Sequence, residues 1–244
     1  LKGSLGKWFF NFKNRVFFRW LNWVIIGTLV CCLSIGLDRA MAADAGAQFP
    51  SGAQSDFEWD LPRWVPRPVV PADNPMNPAK VELGRRLFYD SRLSATGEFS
   101  CASCHVQALA FSDGAKVSVG ATGEMHPRNS MSLTNVAYNS VQTWANPLMQ
   151  HLEQQLLVPI FGENPVELGL AGKETALLQS LQNDADYRAL FSQAFEEQEA
   201  VSVRNVARAI AAFERTMVSF NSPYDRYRYG GDGVASPEEK RTAT

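Results

Sequence analysis

Cysteine and histidine are scarce in this chain of 244 residues, which has four of the first and three of the second. Cys31 and Cys32 fall inside an apolar N-terminal run, leaving Cys101 and Cys104 as the remaining thiols and no further pair for a structural disulfide. Strict alternation of apolar and polar residues is almost absent, which argues against a sheet-built fold, and no internal repeat is present, which removes solenoids and propellers. Basic stripes are missing too. Residues 1–42 hold six of the 23 Lys and Arg but one of the 25 Asp and Glu, so the remainder of the chain is net acidic. Nucleic acid is therefore excluded as a partner, because phosphate binding needs clustered cationic side chains.

What is present starts with a targeting pattern. Lys13, Arg15 and Arg19 precede an uncharged apolar run over 21–37, and Ala40-Met41-Ala42 then supplies small residues at signal-peptidase spacing. Residues 1–42 are expected to be a secretory signal peptide that sends the protein to the periplasm. The alternative is a retained anchor, since about 17 apolar residues is near the shortest membrane span. Contact with a membrane is expected only through this segment, if it stays uncleaved. Val30, before Cys31, is not the small residue a lipoprotein signal places there.

Residues 43–77 are rich in proline (Pro50, Pro62, Pro66, Pro68, Pro71, Pro75) and lack helical periodicity, predicting an extended surface segment that acts as a tether and not as core. The main domain is expected over 78–235. Pro78 followed by Val81, Leu83, Leu87 and Phe88 predicts a helix ending near Asp90-Ser91. Residues 105–139 are rich in Gly, Ser, Asn and Thr and predict a long loop wrapped around a cofactor. Helices are expected over 151–157, 173–183, 187–195 and 203–220. In the last, Val203, Val206, Ala207, Ile210, Phe213, Met217 and Phe220 recur at three- and four-residue steps. The fold class is thus mainly α. Ser236-Pro237-Glu238-Glu239 reads as a cap and first turn, so 236–244 are expected to open a further domain.

Cys101-Ala102-Ser103-Cys104-His105 carries the chemistry. Two thiols at this spacing add across the two vinyl groups of one porphyrin, and the adjacent imidazole takes the iron, so one covalently attached haem c is expected. Zinc would need four ligands, yet His126 and His151 lie far along the chain, and a thioredoxin-like pair would want a βαβ context that is missing. The sixth iron position separates two functions. A Met or His there makes an electron-transfer cytochrome, with Met125, Met131, Met149, His126 and His151 as candidates, whereas an open position with acid and amide groups nearby makes a peroxidase.

The string Leu83-Gly84-Arg85-Arg86-Leu87-Phe88-Tyr89-Asp90-Ser91-Arg92-Leu93-Ser94, leading into the haem motif, resembles the bacterial di-haem cytochrome c peroxidase and MauG family. The order continues through Ala110-Phe111-Ser112-Asp113-Gly114, Arg128-Asn129, Ser132-Leu133-Thr134-Asn135, Leu152-Glu153-Gln154-Gln155 with Pro159, and Pro165-Val166-Glu167-Leu168-Gly169. Trp144-Ala145-Asn146-Pro147 and Phe161-Gly162-Glu163-Asn164 resemble the MauG-like branch found beside methanobactin systems. The resemblance implies a cytochrome c-like haem domain with long loops, the first half of a two-domain protein whose second haem lies beyond this chain, with calcium between the haems. It implies a peroxidase that uses hydrogen peroxide through a high-valent iron state, drawing electrons from a small redox protein or oxidising a residue, such as Trp, of a partner protein. It also assigns roles: His105 as proximal ligand, Glu167 as distal acid–base group, Gln155 (with Gln154 beside it) as distal amide, and Trp144 as inter-haem relay. Asn129 is implied as a calcium ligand, His126 as a candidate distal iron ligand, and Arg85 and Arg86 as partners for haem propionates, with one of the two expected to face solvent. The alternative is a mono-haem electron-transfer cytochrome.

Overall fold

The computed structural model describes residues 57–143, 146–196, 200–230, 238 and 241. The signal peptide expected over 1–42, the start of the extended segment and most of 236–244 lie outside the described residues, as does Trp144.

The framework is helical. α1 (Pro78–Phe88) starts where Asn77 accepts the Lys80 amide at 2.7 Å and Pro78 fills the first turn. Leu83, Leu87 and Phe88 share its inner face and are fully buried. Of the remaining helices, α2 (Cys101–Cys104), α3 (Leu152–Gln155) and α4 (Leu157–Phe161) are single turns, whereas α5 (Glu174–Asn183), α6 (Ala185–Ala194) and α7 (Val203–Arg215) are long enough to build a core. α7 runs through its middle, with Val206, Ala207, Ala209, Ile210, Ala211 and Ala212 all buried, so small side chains let neighbours approach on several sides. α1 packs across α7 and α6, α5 packs on α6, and α3 leans on α7. The α1–α7 crossing is close enough that a Cβ on Gly84 would collide with the Ala209 carbonyl, so only glycine fits there.

A polar clasp fastens α1 to α6. The Tyr187 hydroxyl donates to Asp90 at 2.6 Å, and Arg92, in a 3₁₀ turn over Ser91–Leu93, pairs with Asp90 at 2.7 Å and with Asp184, the α6 cap, at 3.1 Å. Burial alone would raise the Asp90 pKa, but the hydrogen bonds from Arg92 and Tyr187 outweigh it and hold it below the usual range.

Three expectations change. The helix expected over 151–157 divides into α3 and α4 at Leu156, because Pro159 has no N–H for the Gln155 carbonyl and its ring crowds it. The helix expected over 203–220 stops at Arg215, after which the chain turns to pair with Asn135: the Asn135 amide donates to Met217 O at 2.7 Å and its side chain brackets Ser219. Met217 still points inward and is buried, which is why it kept helical spacing without being helical. The described part of the extended segment is no loose tether either. Asn74 and Met76 are 1% exposed, and Asn74 donates to Glu153 at 2.6 Å and to the Arg208 carbonyl at 3.0 Å. Further up, Trp64 stacks on Tyr229 of the last helix, α8 (Pro223–Tyr229), at 4.0 Å.

Candidate active site

α2 is one turn long because its ends are tied locally. The Ser103 hydroxyl accepts the Ser100 amide at 3.0 Å, and the His105 amide closes on Cys101 O at 2.9 Å. Positions three apart on one turn lie side by side, so Cys101 and Cys104 line the same cavity together with His105. Burial pushes both thiols above their ordinary pKa, so both are neutral. That differs from a catalytic dithiol, whose nucleophile needs a lowered pKa.

His105 is oriented from behind. Its Nδ1 lies 2.8 Å from the Phe111 carbonyl, which only accepts, so Nδ1 carries the proton and Nε2 keeps its lone pair. Burial lowers the pKa of the imidazole, favouring the neutral, ligating form. The carbonyl is aimed by a strained turn: Ala110 and Phe111 both sit at positive φ, 56° and 57°. Ser132 Oγ (2.5 Å) and Thr134 Oγ1 (3.1 Å) donate to the Ala110 carbonyl and the Phe111 amide donates to Val106 O at 2.9 Å, which keeps the turn in place.

The cavity, of about 300 Å³, is completed by two further loops. One is a hairpin in which His126 N donates to Ser118 O (2.9 Å), Ser118 N to Arg128 O (3.0 Å), and Gly120 N to Glu124 O (2.8 Å). The other is the 163–168 turn that carries Glu167. They are joined by Ala121 N to Glu167 O (2.7 Å) and Val166 N to Glu124 Oε2 (3.1 Å). A Cβ on Gly120 would collide with the Val166 carbonyl, so glycine is what lets the loops touch. Their contact sets His126 beside Glu167. His126 Nε2 lies 3.2 Å from the Val166 carbonyl and donates to it, while Nδ1 stands 4.0 Å from Glu167 Oε1. Burial raises the Glu167 pKa, and His126 opposes the rise.

Glu167, His126, Gln155 and Asn129 all line the cavity with the two thiols and His105. Gln155 faces in, whereas Gln154 is exposed and absent from the lining. Asn129 is exposed on the cavity rim. Arg85 is not brought to the cavity: it is held on the surface by Glu82 at 2.8 and 2.9 Å, and Arg86 grips the same carboxylate. Two cations three and four positions on from one Glu satisfy one another along the helix, which pulls the Glu82 pKa down to about 2 and leaves the guanidinium away from the site. Arg128 lines the cavity in its place. Met131 also lines it; Met125, Met149 and His151 do not. Sequence reasoning missed Gln142 and Glu214, both buried in the wall. Glu214 was hidden inside the apolar periodicity of α7, where a carboxylate looks like a solvated face.

The donor set fits a c-type haem: two neutral thiols one turn apart, an imidazole oriented through Nδ1 by the Phe111 carbonyl, and a lining that includes Phe99, Leu133, Val136, Leu152, Leu156 and Leu168. Zinc does not fit, since no group of three or more His, Cys, Asp or Glu clusters among the described residues. The helical fold and this wall define a cytochrome c-like haem domain.

Comparison with known proteins gives the narrower identity. The profile of di-haem cytochrome c peroxidase matches residues 78–233, and the chain belongs to that family. It is 33% identical over 199 residues to the methylamine utilization protein MauG of Methylorubrum extorquens, covering 82% of this chain and 54% of that protein. It is 37% identical over 212 residues to the cytochrome-c peroxidase IdrP1 of Denitromonas iodatirespirans, covering 85% and 54%. Among solved structures, a MauG-like protein associated with microbial copper homeostasis superposes with a TM-score of 0.71 at 45% identity, covering 76% of this chain and 53% of that one. The chain thus spans about half the length of these relatives.

Proposed function

We propose that this chain is the peroxide-reacting half of a haem-dependent oxidoreductase. The observation that carries the reading is the convergence, in one cavity, of Cys101, Cys104 and His105 with a burial-raised Glu167 and Gln155. Haem c, when attached, supplies the redox-active iron at which the O–O bond of peroxide is cleaved.

The chain's own residues then divide the work. Cys101 and Cys104 would tether the porphyrin, and Phe111 O holds the His105 proton on Nδ1, which leaves Nε2 as the nitrogen that would take the iron. Glu167 accepts a proton from peroxide and returns it to the departing oxygen, a task suited to a carboxyl whose pKa burial has moved toward neutrality. His126, fixed through Val166 O, stands beside that carboxylate in preference to ligating iron, since both ring nitrogens already face protein groups. Gln155 positions the oxidant through its amide. Arg128, not Arg85, is the candidate for the propionates. Asn129 contributes an oxygen to calcium and Trp144 carries electrons between haems, both roles resting on the family resemblance.

Export to the periplasm and a second haem in a further domain complete the reading. Electrons come from a small redox protein or from a residue, such as Trp, of a protein partner; relatives named as peroxidases and as MauG support one each. Expression with a cytochrome maturation system is expected to give a covalent haem that Cys101→Ser and Cys104→Ser abolish. Its ferric spectrum should be high-spin and should change on adding hydrogen peroxide. A low-spin, Met-ligated spectrum indifferent to peroxide overturns the enzyme in favour of a mono-haem electron carrier.

A further inference from the structure

Glu214 is the most deeply buried acid in the cavity wall, 4% exposed, and its Oε2 has no hydrogen-bond partner among the described residues. Gln142 Oε1, in the same wall, is likewise buried and unpartnered, although the Gln142 amide nitrogen donates to Asn139 O at 3.2 Å. Two buried acceptors without partners in one cavity wall are costly, and a proton on Glu214 removes the charge from the first. A protonated Glu214 becomes a donor, and Gln142 Oε1 is the acceptor it lacks.

The surroundings make this acid hold its proton. Glu214 sits in the last turn of α7, where the helix presents partial negative charge. From α3, Glu153 adds a second negative charge. Arg215, which pairs with Glu153 at 2.8 Å, is the stronger of these two charges and opposes the rise, so burial is what outweighs it. From α2, Cys101 feels Glu214 in turn. The cations of α1 are engaged elsewhere and do not act on Glu214: Lys80 donates to Pro75 O and Arg85 and Arg86 hold Glu82, while in the 136–138 turn the Tyr138 hydroxyl donates to Pro66 O.

We propose that Glu214, hydrogen-bonded to Gln142 directly or through one water, is a proton-storing carboxyl of the haem cavity whose proton leaves and returns as the charge on the haem changes. The step balances simply. With haem attached, loss of one electron to hydrogen peroxide would add one positive charge and one proton would depart from Glu214 to solvent; the electron returned by a small redox protein would be matched by one proton taken up. In a wall of low polarity, an acid with no ion-pair partner is the group whose occupancy follows that charge. Burial, with Glu153 reinforcing and Arg215 opposing, lifts its pKa to about 8, which keeps both forms accessible near neutrality. This site is separate in role from Glu167, which handles the protons of peroxide itself, and it rests on the haem reading above.

The test is a redox titration of the haem-loaded protein with chemical reductant and oxidant, followed by infrared difference spectroscopy in H₂O and D₂O. A protonated-carboxyl stretch that appears with reduction and shifts in D₂O is expected in the parent protein and in Glu167→Gln. It should vanish in Glu214→Gln, with proton uptake per electron near pH 8 falling severalfold. Gln142→Leu should move the band without abolishing it. No such band in the parent protein, or its survival in Glu214→Gln, overturns the proposal. If Glu214→Gln fails to retain haem, the Gln142→Leu arm decides, and an unmoved band overturns it. A protein that ignores peroxide yet shows the Glu214 signal defeats the proposed function alone, and the converse result defeats this inference alone.

Discussion

Glu167 and His126 are set side by side by contacts between two loops, Ala121 N to Glu167 O and Val166 N to the Glu124 carboxylate, so the acid is placed by the chain and not by its own side-chain bonds. Removing its charge therefore leaves the loop contact intact. Glu167→Gln should slow the reaction with peroxide by about 10²-fold or more while haem attachment is unchanged, measured by stopped-flow absorbance. The pH dependence comes from the same burial. Because the Glu167 pKa is raised, the basic carboxylate is lost on acidification at a higher pH than an exposed glutamate would require, so the rate should fall as pH drops through that value and stay flat in the variant. Gln155→Leu should slow the reaction, and Gln154→Leu should not, since only Gln155 lines the cavity. The haem motif was legible in the sequence because its chemistry is local: three residues within one turn. Arg85 was misplaced because its family string does not say which side chain the neighbouring Glu82 captures, and Glu214 was missed because a cavity wall exists only once α3, α7 and the loops come together.

The helices with a continuous apolar period were the ones the sequence disclosed. α1 and the first three turns of α7 follow Leu83, Leu87, Val206 and Ile210, all buried as the period requires. Where the structure departed, long-range bonding had replaced the helical ladder, as when Asn135 takes over the chain after Thr216. The α1–α7 crossing is the element contact least tolerant of change. Gly84→Ala should cost about 2 kcal/mol or more, because the added methyl meets the backbone of Ala209 and no side chain can move aside. A drop in Tm of roughly 5 °C is the expected reading. The Asp90 clasp gives a pH-signed companion. Its folded pKa is depressed, so its contribution is present above the ordinary carboxylate pKa and disappears as pH falls through the folded value. Asp90→Asn should accordingly be less stable than the parent at neutral pH, with the gap in Tm closing on acidification. A gap independent of pH would mean the clasp acts through packing alone.

The core formed by α1, α5, α6 and α7 and the cavity wall formed by α2, α3, α4 and the loops depend on different sources of stability. The core helices have ten to thirteen residues each and bury their faces against one another. The wall helices have four or five residues, far too few to hold a helical conformation alone, since nucleation costs more than one turn returns. Phe99 and Leu133 line the cavity and are only partly buried by the protein itself, so the rest of their burial must come from what fills it. A haem tethered at Cys101 and Cys104 would supply that surface. Haem-free protein, made with Cys101→Ser and Cys104→Ser, should therefore keep most of its helical signal while its wall opens locally. Hydrogen exchange should rise by orders of magnitude over 99–134 and 151–168, and change little over 78–88 and 203–215. The Glu153 ion pair predicts where the boundary falls. Through Arg215 it bonds α7, and through Asn74 it bonds the N-terminal segment, so α3 should be the last part of the wall to lose protection. Uniform protection in the haem-free protein would show that the loops close on their own. Uniform loss would show that core and wall fold as a single unit around the porphyrin.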